Sequence, residues 1–501
     1  MQDVQFFDSK SGDKTCSINS IRLHSSYDPV KEAQRYVSSL DINFVPSLIV
    51  VTEPALSYCA CFLRKRFPKT ILVAIRFSNL FDDYNSLWDK VFYYDEVDSL
   101  LNIYGEDLLL VTGFFSWQPA QQVFPDEYIS CWNKIRTLLQ TGRDILATRA
   151  YFAKRWLKNT LLFCFRLSSA SLIKNGTFPV LLVASGPSLE SSIEHIKKHR
   201  KSIFVIALSS ALPPLLDRKI TPDLCISTDG GYWAKKHIEK CPVPIALPAE
   251  AAVPSTLFNQ TIIPLEYGDG PETNLLKFCR IPFMKALRNG TVSGTALEFA
   301  LSITSGPVFA CGLDLSSTVG FQHCQPNSIE INNENKDFRL ITKETRLFPQ
   351  ELPSHSLEIY AQWFASQSKR FKDRFYRLSH CNYKFSNTLG EIKDINWNDF
   401  EKILQEYNKN HNDFSFPSLV EKKLQRKEER YTILLNTLTK YKELGLPEHW
   451  LESIFPAEQV LLSRSIDKEE LQIKIKNKEK IFLEEMIDYL KSIWENGHDD
   501  I

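Results

Sequence analysis

Continuous apolar runs that stop abruptly at small polar residues dominate the middle of this chain. Residues 180–184 run into Ser185-Gly186-Pro187-Ser188, residues 203–208 into Ser209-Ser210, and residues 223–227 into Thr228-Asp229-Gly230-Gly231. Short apolar runs bounded by turn signals predict strands buried on both faces, and the polar segments between them predict helices. Residues 244–247, 261–265 and 307–311 extend the set, and 295–303 has the spacing of an amphipathic helix. The last of these runs ends in Gly312-Leu313-Asp314-Leu315-Ser316. The predicted fold class is α/β, with a central doubly wound, mostly parallel, Rossmann-like sheet over 175–397.

Parallel strands in such a sheet bring their carboxyl ends to one edge, where ligands bind between diverging loops. The polar tips therefore are expected to share one pocket. Pro187 suits the first turn of a helix, and Gly186 permits a special backbone conformation and close approach of a ligand. The turn predicts free backbone donors facing a phosphate, although it is neither a Walker loop nor GxGxxG.

The flanks read differently. Residues 1–40 are mixed and lack strong periodicity, after which 47–52, 71–75 and 108–111 predict strands of a small α/β domain over 1–124. Glu53, Arg76 and Gly113 end or follow those runs and read as surface loops over a structural sheet. Residues 125–174 carry apolar positions at helical spacing and form a helical connector, which Gly142 is expected to break in two. Arg149, Lys154, Arg155 and Lys158 read as its solvated basic face. Residues 320–355 have weak periodicity and predict a loop or lid near the strand tips, and 357–375 returns to helical spacing. From 398 to 501 a charge-rich helical domain is expected, with helices at 401–407, 419–441 and 468–493 punctuated by Pro417, Pro447 and Pro456.

Composition narrows the function classes. Lys plus Arg and Asp plus Glu are 60 each in 501 residues, so no global charge argues for nucleic acid or an anionic membrane. The start, MQDVQFFDSK, lacks the basic-then-apolar order of a signal peptide, and no apolar stretch is long enough to span a bilayer. These features predict a cytoplasmic protein with no membrane insertion. The eleven cysteines show no paired CxxC spacing; Cys59 and Cys61 read as packing. No DxD pair or His/Cys cluster appears in the core, so no obligatory metal or cofactor is expected, and a divalent cation remains an option.

Read together, Val183-Ala184-Ser185-Gly186-Pro187-Ser188-Leu189, the Pro222-Asp223 strand to Asp229, Val292-Ser293-Gly294-Thr295-Ala296, and Cys311-Gly312-Leu313-Asp314-Leu315 with His323 downstream resemble the motility-associated factor (Maf) glycosyltransferases. The resemblance covers about half of the chain. It implies a CMP-activated nonulosonic acid, pseudaminic or legionaminic in type, as donor and flagellin Ser or Thr as acceptor, on a central domain similar to bacterial sialyltransferases. It also implies nucleotide contacts at Ser185, Gly186, Pro187 and Ser188, donor contacts from Ser209 and Asp229, and a nucleotide or carboxylate site at Ser293, Gly294 and Thr295. The Gly312-Leu313-Asp314 tip is expected to belong to the same substrate site. His323 matches a histidine that follows the Gly-x-Asp-Leu motif in the family. Two departures stand out: Ala184 and Ser185 replace the more usual Gly or Asn, and the sialyltransferases' arginine before Thr-Ser-Gly has no aligned equivalent, Arg288 being nearest.

Such a donor already carries a good leaving group, so an enzyme must hold it, offset phosphate charge and take the acceptor's proton. A histidine can do this near neutral pH. His323 is the first candidate base and Asp229 the second. Taken by itself, however, His323 reads as a surface loop residue. Asp314 either orients a ligand hydroxyl or metal, or caps a following helix. Asp223 reads as structural and Tyr267 as a packed loop tyrosine. Two other readings remain open: a pterin pyrophosphokinase on the same central fold, and a non-enzymatic protein that binds and escorts flagellin.

Overall fold

Strands that are apolar on both faces need cover on both faces, and the chain gathers them into two separate parallel sheets. The computed structural model describes residues 4–268, 270–289, 291–315, 323–327, 330, 355–378, 388–410, 415–465 and 467–496. It divides into two units, Met1–Ala153 with Gly445–Phe482, and Lys154–Leu444 with Leu483–Ile501.

In the first unit, β1 (Val4–Asp8), β2 (Lys14–Ile18) and β3 (Ile21–Arg22) form an antiparallel sheet. The helix Pro29–Ser39 follows, with Asp28 as N-cap accepting from Lys31 N at 2.7 Å and Pro29 at its first position. The region without periodicity in the sequence is thus ordered by short strands and a capped helix. A parallel sheet is built from β4 (Leu48–Thr52), β5 (Ile71–Arg76), β6 (Lys90–Tyr93) and β7 (Gly113–Ser116), in the order β6-β5-β4-β7.

Expectations are corrected in this unit. The run 108–111 closes the helix Ser99–Leu110, and the strand begins at Gly113; a short apolar run cannot by its periodicity distinguish a strand from a buried helix end. Glu53 and Arg76 are not surface loops. Both are fully buried, with Arg76 Nη1 donating to Glu53 Oε1 at 3.0 Å, and further donations go to Ala55 O, Ser57 Oγ and Asn85 Oδ1. Glu53 Oε2 accepts from Phe77 N at 2.7 Å. A buried charge pair survives only with its remaining polar atoms satisfied, which this network does.

Pro125–Arg166 is one helix of 42 residues and is not broken at Gly142. Glycine in a helix interior costs about 1 kcal/mol relative to alanine, too little to break a helix of 42 residues. Arg149 is not simply solvated: it pairs with Glu106 at 2.7 Å and Asp107 at 2.9 Å.

The second unit contains β8 (Ala170–Ile173), β9 (Val180–Val183), β10 (Phe204–Leu208), β11 (Leu224–Ile226), β12 (Ile245–Pro248), β13 (Ile262–Glu266), β14 (Met284–Lys285), β15 (Val308–Cys311), β16 (Phe375–Leu378), β17 (Lys393–Ile395) and β18 (Leu419–Lys422). Nine of them form one parallel sheet in the order β14-β13-β12-β11-β10-β9-β15-β16-β17. The α/β doubly wound architecture is as expected. Val180, Leu182, Val183, Val205, Ile206, Val308 and Phe309 are wholly buried at its centre, each such side chain contributing about 1.5–3 kcal/mol.

Past 355 the expectations needed changing. The predicted helix 357–375 is a helix His355–Ala365, a short turn Lys369–Lys372 and then β16. Residues 419–422 form β18, paired antiparallel with β8, ahead of the helix Lys427–Leu444. The helix Trp397–Asn410 buries Trp397, Phe400 and Leu404 in the central core, and residues 445–482 group with the N-terminal unit. The predicted loop or lid at 320–355 lies outside the described residues except at 323–327, 330 and 355. Among the described residues no helix is long and apolar enough to cross a membrane.

Candidate functional site

Strand order places the crevice. The chain leaves β9 on one side through β10 to β14 and returns on the other side of β9 with β15. The direction of winding reverses between β9 and β15, which is where open α/β sheets bind ligands, beyond the carboxyl ends of the strands. The register sets Cys311 opposite Val183, so residues 184–188 and 312–314 emerge side by side.

These two tips are locked to each other. Gly186 N donates to Gly312 O at 2.8 Å, and Asp314 accepts from Ser188 N at 2.8 Å and from the Ser188 hydroxyl. A β-carbon on Gly186 would fall 2.5 Å from Gly312 O and from Asp314 Oδ2, so only glycine fits. The expected phosphate cradle is therefore corrected. Of the turn's donors, Gly186 N and Ser188 N are already engaged, Leu189 N donates to Gly186 O, and a carboxylate sits where the anion was expected. Asp314 is bound to Ser188, the N-cap of the helix Leu189–His199, from across the sheet. Pro187 lies ahead of that cap rather than in the helix.

Ser185 is the part of the turn that reaches elsewhere. Its Oγ lies 2.8 Å from Ser210 Oγ, and its carbonyl accepts from Cys324 N at 2.7 Å. The nominated Ser209 is buried beside it, but the next residue, Ser210, makes the contact. The Cys324 bond draws the 323–327 segment onto the β9 tip, and Arg218 Nη1 holds it by donating to Gln325 O at 2.7 Å.

His323 stands on this anchored segment with a partner that sequence reading missed. Its Nδ1 lies 2.8 Å from Glu330 Oε1, while Gln325 Nε2 donates to Glu330 Oε2 at 2.8 Å. A carboxylate can only accept, so Nδ1 carries the proton, and in the neutral ring the lone pair is on Nε2. The imidazole is 43% exposed. A carboxylate that orients an imidazole in this way is the usual support of a general base. Only the seven-residue spacing linked the two in sequence.

Asp229 is exposed at the β11 tip, where Oδ1 accepts from Gly231 N at 2.8 Å and its carbonyl from Ala252 N at 3.1 Å. His237, at the end of the helix Tyr232–His237, relates it to His323. Burial, foremost, and the His323 imidazole push the His237 pKa down, while Asp229 pulls it up. Both candidate catalytic groups thus act on one buried histidine, which the sequence concealed within a basic run.

The remaining nominated residues serve a helix start. Thr291 caps the helix Val292–Ile303 by accepting from Gly294 N at 2.9 Å, and Ser293 Oγ lies 3.1 Å from Thr291 Oγ1. The Thr295 hydroxyl donates to Leu287 O at 2.8 Å. Arg288 is engaged by Glu250 through both oxygens, 2.5 and 2.9 Å, and lies over the rings of Trp156 and Tyr267. Asp223 accepts from Val205 N and Arg200, a structural role. Among the described residues no group of three His, Cys, Asp or Glu is placed to hold a metal ion.

A protein of Treponema pallidum (strain Nichols), described as uncharacterized, is 35% identical to this chain over 306 residues, 60% of this chain and 67% of that protein. The chain belongs to that protein's family. A second uncharacterized protein of the same organism is 25% identical over 381 residues, covering 68% of this chain and 64% of its own length. Each alignment spans about two thirds of the Treponema protein. Residues 155–320 match the family described as 6-hydroxymethylpterin diphosphokinase MptE-like. The solved structure of a Maf glycosyltransferase from Magnetospirillum magneticum AMB-1 aligns with 98% of this chain and 90% of its own, at a TM-score of 0.49 and 11% identity.

Proposed function

We propose that the chain is a protein glycosyltransferase that moves a nonulosonic acid, pseudaminic or legionaminic in type, from a CMP-activated donor to Ser or Thr of flagellin. The observation that carries the reading is the His323–Glu330 pair at the switch point. Transfer from such a donor needs one group that accepts the acceptor's proton, and an imidazole with its lone pair on Nε2 fits that need. In this reading the acceptor oxygen forms the bond to the sugar's anomeric carbon as the bond to the CMP phosphate oxygen breaks, and the proton passes to His323 Nε2. One O–H of the Ser185–Ser210 pair donates to the other, which leaves one hydroxyl proton to offer to the leaving CMP, the turn's backbone being otherwise engaged. Asp229 lies toward the sugar and serves as the second candidate base.

The test is incubation of the protein with CMP-pseudaminic or CMP-legionaminic acid and flagellin. CMP release together with a flagellin mass raised by one sugar is expected. No release of CMP, with no binding of CMP, overturns the reading.

The MptE-like match favours one alternative, transfer of diphosphate from ATP to 6-hydroxymethylpterin, which would form AMP. That match stops at residue 320, before His323 and Glu330. A pterin enzyme leaves that pair without a role, whereas a glycosyltransferase uses it. ATP-dependent AMP formation with 6-hydroxymethyldihydropterin is the distinguishing measurement.

A further inference from the structure

His237 has no part in the transfer just described, yet it is placed like a ligand residue. It follows the β11 tip by way of Asp229, Gly230 and Gly231, and the residue is 8% exposed. Its Nδ1 is buried and has no hydrogen-bond partner among the described residues. The hydroxyl of Ser227, where β11 ends just ahead of Asp229, is likewise buried without one. Buried polar atoms are almost always paired, and unpaired ones are completed by a ligand or by water.

We propose that His237 is a specificity-determining residue that hydrogen-bonds the sugar of the donor through Nδ1, beside Asp229. The inference rests on the donor-site reading given above. Its chemistry follows from the surroundings. Burial and the nearby His323 imidazole oppose a charge on His237 more than Asp229 favours one, so the ring is neutral near pH 7. A neutral imidazole offers one donor and one acceptor, which suits a hydroxyl or acylamino group rather than a phosphate or carboxylate. A nonulosonic acid of this type carries both groups, and CMP alone lacks the acylamino groups. His237 therefore reads the sugar and not the nucleotide phosphate.

Calorimetric titration of the full chain with CMP, CMP-pseudaminic acid and CMP-legionaminic acid tests this. In His237→Ala the affinity for the bound CMP-sugar is expected to fall about tenfold, the effect of one neutral hydrogen bond, while that for CMP stays within twofold. His237→Gln, which keeps a donor and an acceptor, is expected to recover part of the loss. Unchanged CMP-sugar affinity in His237→Ala overturns the inference while the donor reading stands. A parallel loss of CMP and CMP-sugar affinity with a lowered unfolding temperature also overturns it, because His237 is then structural. A wild-type protein that binds no CMP-sugar overturns the donor reading itself, and the inference with it; the wild-type titration alone identifies that case.

Discussion

Asp314, beyond the end of one central strand, accepts hydrogen bonds from the backbone N–H and the hydroxyl of Ser188, beyond the end of its neighbour. The two residues are 126 positions apart, and their contact closes the switch point of the nine-stranded sheet. It converts a turn that reads in sequence as an anion cradle into a brace, with the carboxylate occupying the amino-terminal end of the helix Leu189–His199, where negative charge is favoured.

Replacing Asp314 tests the brace. Asp314→Ala leaves the buried Ser188 N–H and hydroxyl unpaired, and is expected to cost about 1–3 kcal/mol. Asp314→Asn retains an acceptor and is expected to cost less. Urea unfolding followed by fluorescence checks the order; equal stability of wild type and Asp314→Ala contradicts it.

Gly312 is held at φ +68°, and an added β-carbon would lie 2.2 Å from Ala184 O, a backbone atom that cannot swing aside. Gly312→Ala is therefore expected to abolish the native switch point and yield insoluble or protease-sensitive protein. Gly105→Ala, also at positive φ but with open space around it, is expected to remain soluble. Limited proteolysis of the pair is the measurement.

For the His323–Glu330 pair, His323→Ala is expected to lower CMP release in the presence of flagellin roughly 10²–10⁴-fold, as for loss of a general base. Glu330→Gln is expected to lie between it and wild type, since an amide can favour the wrong imidazole tautomer. CMP affinity should stay within twofold in both. Transfer by His323→Ala at the wild-type rate removes His323 from the chemistry and leaves Asp229 as the base to test.

Acid should weaken the fold through two buried histidines. Burial lowers the His24 pKa below its ordinary 6.5, with Glu32 opposing, and burial and His323 lower that of His237. Between 6.5 and the lower folded-state values the unfolded chain binds protons that the folded chain does not. Stability therefore rises with pH across that window and is lost as pH falls below 6.5. His24→Gln and His237→Gln should each flatten the dependence between pH 5 and 7 relative to wild type. Unchanged slopes in thermal unfolding across that range would count against the assignment.

In the first unit, Glu53→Ala strands the buried Arg76 guanidinium and is expected to cost about 3–5 kcal/mol, more than Arg76 and Glu53 lose when replaced together by apolar residues. A double-mutant cycle by urea unfolding checks the difference.

The apolar runs at 180–184, 203–208 and 307–311 fixed the central strands in sequence, because a strand covered on both faces cannot alternate. The helix start at Asp28-Pro29 was not read from the sequence, because no periodicity around it marked a helix for the cap to begin. Strands as short as Met284–Lys285 and Lys393–Ile395 carry no readable pattern; pairing with neighbours creates them. The helix runs through Gly142 because one glycine, at about 1 kcal/mol, does not outweigh the rest of a helix of 42 residues.

Residue types at the strand tips, and the likeness of their order to a known family, came from the sequence alone. Which of those tips meet was decided by the fold. Winding away from β9 and returning beside it brings Asp314 to Ser188, and the bond from Cys324 to Ser185 carries His323 to the same edge. Glu330 and His237 became visible only then. A carboxylate seven residues on, or a histidine at the end of a lysine pair, has no chemical meaning until tertiary contacts give one a proton to hold and the other a buried atom without a partner.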